Sequence, residues 1–525
     1  MNVESVSPFK LKLPSIPLMW AFLLLVVIIL YELLFIIALN AGTFVYTLDD
    51  AYIHLSLSEN IAHGYYGINL NENSSPSSSI LWPFLLVPFT FFSFHQLIPL
   101  LINVAASFAT LFYLSKIFEL LFVELDEAPK NILLAVLLCI LIPGSNLVGL
   151  IFTGMEHSLQ VLVVVFFFYG MMNEQRGVYS SLFFIITFVL LPLVRYENLS
   201  IAIAGIIYLF FRGYKRDAII SLLAIGILLG GFSLFLVSLG LSPVPASVLV
   251  KTNNFFSDQN TLIRFFNNAS TIRGTLFVIP MLIFALLSVH RDASKGERLF
   301  TACASGAIAL HLAFGQIGWY SRYEIYMWIF TLLTLLSVFR ESIMKIFSSS
   351  KIIFISVVVI ADIIIGGQYN SIIVTTPYAS NNIYEQHYHL RKFIVDFYKG
   401  PVAVNDIGYV SYKNDHYILD LVGLASIEAQ QLRAEQKGNV EWINTLATKN
   451  NVSLAIIYDS WFPQRPEGWK KIAELSLSRT RITPDSPIVS FYAMNEETFH
   501  DVHAKLIEFE KELPFRNMMK FYPPQ

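Results

Sequence analysis

The chain reads as a polytopic α-helical membrane protein with about eleven transmembrane helices, followed by a C-terminal α/β domain outside the membrane. Three observations predict this. Of 525 residues, 55% are hydrophobic and 14% charged, with a mean hydropathy of +0.59, whereas a soluble globule carries about a quarter charged residues. Apolar runs near the length of about 17 to 25 residues that a bilayer crossing needs recur through residues 1–369. Beyond Gln368 charged residues rise, and short apolar runs alternate with helix-like polar stretches over residues 370–525.

Taken in order, the apolar segments fall at 18–39, 97–122, 131–151, 157–172, 179–194, 197–211, 217–240, 274–290, 298–316, 323–339 and 351–367. Several are short for a full crossing and become plausible where neighbouring Gly or Pro residues line a cavity instead of facing lipid. Basic residues concentrate on the cytoplasmic side of a membrane. Lys10 and Lys12 precede the first span, and further basic loops hold Arg212, Lys215 and Arg216; Arg291, Lys295 and Arg298; and Arg340, Lys345 and Lys351. These loops share one side only if Ile80 to Phe94, interrupted by Pro83 and Pro88, does not cross. That stretch is therefore expected to be interfacial or re-entrant, which makes residues 40–96 one large outer loop. The same count places the C-terminal domain outside. Its expected strands are Val402-Ala403-Val404, Tyr417-Ile418-Leu419, Leu454-Ala455-Ile456-Ile457 and Ile488-Val489-Ser490-Phe491.

Composition also excludes. A net charge of −3 argues against nucleic acid as a partner, because phosphate backbones are bound through concentrated basic surface. Cys139 and Cys303 are the only cysteines, both inside apolar runs, so neither a disulfide scaffold nor a cysteine metal site is expected. No Walker loop, GxGxxG fingerprint or HExxH occurs, and an ATP-driven pump has no support.

The chemistry concentrates just after the first span, in Tyr46-Thr47-Leu48-Asp49-Asp50-Ala51-Tyr52-Ile53. Two adjacent carboxylates at a membrane surface disfavour each other's ionisation, so the pair suggests a proton acceptor, a metal ligand or both. Either acid could instead cap a helix running from about Ala51 to Ile61. His54 and His63 show no trusted metal-ligand spacing and read as satisfied interfacial histidines. Tyr384-Glu385-Gln386-His387-Tyr388-His389 reads as a solvated linker into the outer domain.

Leu48-Asp49-Asp50-Ala51-Tyr52-Ile53, Glu59-Asn60-Ile61-Ala62-His63-Gly64 and Ser75-Pro76-Ser77-Ser78-Ser79-Ile80-Leu81-Trp82, set in this architecture, resemble the GT-C glycosyltransferases. Within them the chain is most similar to the branch of the mycobacterial arabinofuranosyltransferase that caps arabinan. Further matches are Thr153-Gly154-Met155-Glu156, Arg195-Tyr196-Glu197-Asn198 and Val244 to Thr252, with Val402 to Gly408 and Leu419 to Leu424 in the outer domain.

The resemblance implies transfer of a sugar from a polyprenyl-phosphate donor to an envelope glycan, glycolipid or protein acceptor, on the outer face of a bacterial cytoplasmic membrane. Such transfer needs a carboxylate to deprotonate the acceptor hydroxyl and positive charge to hold the departing phosphate. Asp49 is the expected base with Asp50 as its neighbour, an order that could be reversed. Glu156, at a second acidic position of the family, could orient the acceptor or a divalent cation, and equally suits a helix start. Arg195, Lys251 and Arg322, at outer ends in apolar settings, are the expected phosphate ligands, with interfacial anchoring as the other reading. The metal requirement stays open. The alternative functions are a transporter or flippase of lipid-linked glycans, against which the absence of internal repeats counts, and a non-catalytic envelope scaffold.

Overall fold

A computed structural model of the chain describes residues 14–252, 261–436, 438–514 and 518–523. The first helix, Ile16–Leu39, starts with Pro17 in its first turn, where the missing N–H has no partner to lose. It turns Leu18, Ala21, Leu25 and Ile36 inward and leaves Leu23, Val27, Leu30 and Leu34 on the outside, as a helix at the edge of a lipid-facing bundle should. Helices Ile16–Leu39, His95–Leu121, Glu127–Gly144, Lys215–Ser238 and Ile272–Val289 are each long and apolar enough to cross a membrane. Two bent pairs, Ile325–Val338 with Arg340–Ser349 (70°) and Lys351–Ile365 with Gly367–Tyr398 (63°), raise the number to seven.

Against eleven expected segments, five to seven spans meet the length and composition of a crossing among the described residues. The difference has a physical reason. Helix His157–Gln175 has most of its side chains buried within the bundle. Backbone breaks shorten other segments: Asn146 at φ 50° ends one helix and starts Leu147–Phe152, and extended Arg195 separates Ser181–Val194 from Leu199–Phe211. Apolar sequence marks burial against protein as readily as burial in lipid.

Within residues 40–96 the main element is helix Asp50–Ala62, close to the expected start and end. Ile80 to Phe94 holds only a six-residue helix, Leu81–Leu86, and a 3-10 turn at Val87–Phe89. Neither element is long enough to cross a bilayer.

The expected boundary at residue 370 falls inside one continuous helical stretch, Gly367–Tyr398. Its polar stretch is not a solvated linker: Glu385, Gln386, His387 and His389 are all buried. Glu385 and Gln386 are satisfied by the sheet region they face. Ser478 donates to Glu385 (2.7 Å), Gln386 donates to the Ser486 carbonyl (3.3 Å), and Tyr458 donates to Gln386 (2.6 Å).

The sheet has six strands: β1 (Val402–Val404), β2 (Ile418–Asp420), β3 (Leu454–Ile457), β4 (Lys470–Ser476), β5 (Ile488–Ala493) and β6 (Met519–Phe521). Their order is β2-β1-β3-β5-β4-β6, parallel through β2-β1-β3 and antiparallel from β3 onward. Alternation along the strands builds two cores. Val402, Val404, Leu454 and Ile456 pack with Phe393 and Phe509, while Ala403, Ala455 and Ile457 pack with Trp442 and Leu446 on the other face. Strands buried on both faces read as continuous apolar runs, which is why β1 and β3 were legible. The half-charged β4 was not expected, nor was the short β6.

Candidate functional site

Asp49 and Asp50 begin the same helix and face different partners. Both Asp49 oxygens accept backbone N–H groups, from Gly408 and from Tyr409, each at 2.7 Å. These are the first amides of the short helix Gly408–Ser411, so Asp49 ties the outer loop to the sheet region. Around it Tyr52 lies against Tyr409 at 3.7 Å between ring centroids, and Ser56 meets Ser411 at 2.9 Å. Burial pushes the Asp49 carboxyl up to about 6; the facing His387 opposes the rise, Asp406 adds to it, and the Tyr409 amide opposes it again.

Asp50 has a different partner. Its carboxylate is 35% exposed and pairs with Arg322 at 2.6 Å. Arg322 is itself 2% exposed. Its guanidinium donates to the Tyr323 hydroxyl (2.9 Å) and to the Met155 sulfur (2.7 Å), and lies over the Tyr323 ring. One buried donor, Nε of Arg322, has no hydrogen-bond partner among the described residues.

Tyr323 also receives Arg195, whose guanidinium lies 5.7 Å from the ring centroid. Arg195 is 1% exposed and clasped by two acids, Glu156 and Glu197, the latter at 2.7 and 3.1 Å. His157 Nε2 is 3.4 Å away. The other oxygen of Glu156 faces His54 Nε2 at 3.5 Å, and His54 Nδ1 lies 3.2 Å from the Ser77 hydroxyl. Asp50, Arg322, Tyr323, Arg195, Glu156, His54 and Ser77 therefore form one connected polar array beneath the outer loop.

Glu197 opens this array to a cavity of about 360 Å³. Leu199, Ile203, Val248, Leu310 and Phe314 make its walls apolar, and Arg264 and His311 add polar groups. Helix Ala246–Thr252, which carries Lys251, is anchored beside it by the Ala246 N–H donating to the Ser75 hydroxyl (2.9 Å). The Lys251 side chain lies outside the described residues.

The site residues expected from sequence thus separate. Asp50, Glu156, Arg195 and Arg322 come together; Asp49 turns away toward the sheet. Glu156, expected to orient the acceptor or a divalent cation, is fully buried, paired with Arg195 through one oxygen and facing His54 with the other. His54, Ser77 and Tyr323 were not foreseen as members of the site. His54 was findable, since it stands one helical turn after Asp50, on the same helix. The link from Ser77 to His54 is a tertiary contact that no local spacing announces. Among the described residues, no three His, Cys, Asp or Glu side chains converge as a metal site would require.

Several solved structures are similar to this chain. The oligosaccharyltransferase AglB from Archaeoglobus fulgidus, in complex with an inhibitory peptide and a dolichol-phosphate, aligns at a TM-score of 0.50 with 11% identity, over 89% of this chain and 74% of that one. The chain is similar in fold to that archaeal enzyme. The same archaeal enzyme with zinc and sulfate aligns at 0.49 with 12% identity, over 91% and 76% of the two chains. The arabinofuranosyltransferase AftD from mycobacteria aligns at 0.40 with 12% identity, over 90% of this chain and 41% of that one. A family model described as a domain of unknown function, DUF8728, matches residues 381–492, the end of the long helix and most of the sheet. No curated protein matches the sequence.

Proposed function

We propose that the protein is a membrane glycosyltransferase that moves a sugar from a polyprenyl-phosphate donor to an envelope glycan, glycolipid or protein acceptor, with inversion and with Asp50 as general base. The observation that carries this reading is the pairing of a partly exposed carboxylate with a buried arginine that keeps an unmatched donor. Asp50 is partly exposed to an acceptor hydroxyl, and the buried Arg322 charge paired with it favours the negative charge of the departing phosphate. Asp49 instead anchors the loop to the sheet region.

Arg195, between two carboxylates, is close to neutralised and acts as the scaffold of the array more than as the phosphate ligand. Lys251 and Arg264, on helices beside the apolar cavity, are candidates for the remaining phosphate charge, and the cavity suits the prenyl chain. A divalent cation, if used, would be held by Asp50 together with phosphate oxygens of the donor, since the protein offers no cluster of three ligands among the described residues.

The test is an assay of purified protein with a panel of polyprenyl-phosphate sugars, with and without chelator, following released polyprenyl phosphate. Release with one sugar and an acceptor supports the reading. Binding or translocation of lipid-linked glycan across vesicles with no release would favour a transporter.

A further inference from the structure

Four successive residues ahead of Arg322 adopt left-handed backbone: Gly318 (φ 100°), Trp319 (44°), Tyr320 (61°) and Ser321 (51°). Only glycine takes this conformation freely; for the other three the Cβ crowds the following carbonyl, so such a run persists only where its surroundings over-determine it. Strain of this kind points to a constraint on whatever the segment presents. What it presents is Arg322.

The restraints are specific and come from residues outside the array. Glu324, fully buried, accepts the Gly318 N–H at 2.9 Å through one oxygen and Arg273 at 3.2 Å through the other. Arg273 in turn donates to Gln368 at 2.9 Å, just past the 63° bend between Lys351–Ile365 and Gly367–Tyr398. At the other end of the turn, the Asn146 amide donates to the Tyr320 and Ser321 carbonyls at 3.4 and 3.3 Å. Asn146 can lie there because residue 149 is glycine; a Cβ at Gly149 would collide with its side-chain oxygen. Tyr320 is fixed through its hydroxyl to Thr376 at 2.7 Å.

We infer that Glu324 and Asn146 are positioning residues that hold the Gly318–Ser321 turn in its strained form, and thereby fix the Arg322 guanidinium against Asp50 where a donor phosphate can meet it. The inference rests on the proposed function for what Arg322 binds, though not for what holds it. Preorganisation is the physical reason for such a device: a charged group already aimed needs no reorganisation when the leaving group's charge develops.

The experiment is amide hydrogen exchange over residues 316–323 of the full-length protein in detergent, without ligand, for the parent, Glu324→Gln, Glu324→Ala and Asn146→Ala. Glutamine keeps an acceptor for the Gly318 N–H; alanine does not. Exchange should quicken by on the order of tenfold in Glu324→Ala and Asn146→Ala and by clearly less in Glu324→Gln, which keeps the Gly318 acceptor but loses one for Arg273. Unchanged exchange in both alanine variants would overturn the inference, even if turnover were lost. The same samples are then titrated with undecaprenyl phosphate, following tryptophan fluorescence. Weakened binding in the alanine variants, rescued in Glu324→Gln, completes the case. A parent protein that binds no undecaprenyl phosphate while the exchange difference persists would overturn the donor reading and leave the positioning role intact.

Discussion

A carboxylate whose two oxygens each accept a backbone N–H is held in place by both, and Asp49 joins residues 408 and 409 to its own helix in that way. Replacing it with asparagine sets an NH₂ against one of the two amides, leaving that amide unsatisfied. The expected loss is about 1–3 kcal/mol of stability near pH 5, read by thermal or denaturant melting. The pH dependence follows from the raised carboxyl. The folded state holds the Asp49 proton up to about 6, whereas the unfolded chain releases it near about 3.9. The folded protein therefore binds more protons between these values, and its stability falls as pH rises through that window. Asp420, pushed up to about 6 by burial despite amides from Ala425 and Val422, acts in the same direction. His387, Asp406 and Asp50 all face Asp49 and modulate the midpoint. The gap between parent and Asp49→Asn should narrow from pH 5 to pH 7.5; a widening gap would contradict this account of Asp49.

Helix Asp50–Ala62 docks on helix Gly408–Ser411, and the close approach depends on glycine at 408. A Cβ there would collide with the Asp49 backbone carbonyl and carboxylate. Gly408→Ala is expected to cost about 1–3 kcal/mol through overpacking and to expose the interface to limited proteolysis, with the bundle intact. Element by element, the sequence was legible where burial is symmetric. Strands β1 and β3 are apolar on both faces, and helix Asp50–Ala62 starts at its acid pair. It misled where polarity is satisfied by a distant partner. Residues Tyr384 to His389 look solvated until Ser478, Ser486 and Tyr458 are brought against them. Strand β4 carries Lys470 and Lys471, whose partners Glu496 and Asp459 lie outside the strand, and Glu474, which pairs with Lys471 within it. The site was legible as a set of charged residues flanking apolar spans. The division of labour between Asp49 and Asp50 was not, because it depends on a contact between residues 49 and 408.

At the scale of the molecule, three helices run from the polar array to the basic loops. Leu199–Phe211 starts beside Glu197 and ends at Arg212, His157–Gln175 starts beside Glu156 and ends at Arg176, and Ile325–Val338 runs from Glu324 toward Arg340. Arg176, Arg212 and Arg340 line one cavity at that far end. The topology read from basic residues therefore has a direct check. Cysteines placed at exposed positions Asn71 and Asp415 should react with an impermeant thiol reagent in cells lacking an outer barrier, and one at Ser348 only after permeabilisation. Labelling of all three alike would refute the orientation. The central claim, that Asp50 and not Asp49 is the base, is tested most directly by turnover of the two asparagine variants with the sugar donor that the parent uses. Asp50→Asn should lose roughly 10²-fold or more, the scale of general-base catalysis, while folded Asp49→Asn keeps most of its turnover. A folded Asp50→Asn protein that turns over like the parent would contradict the account.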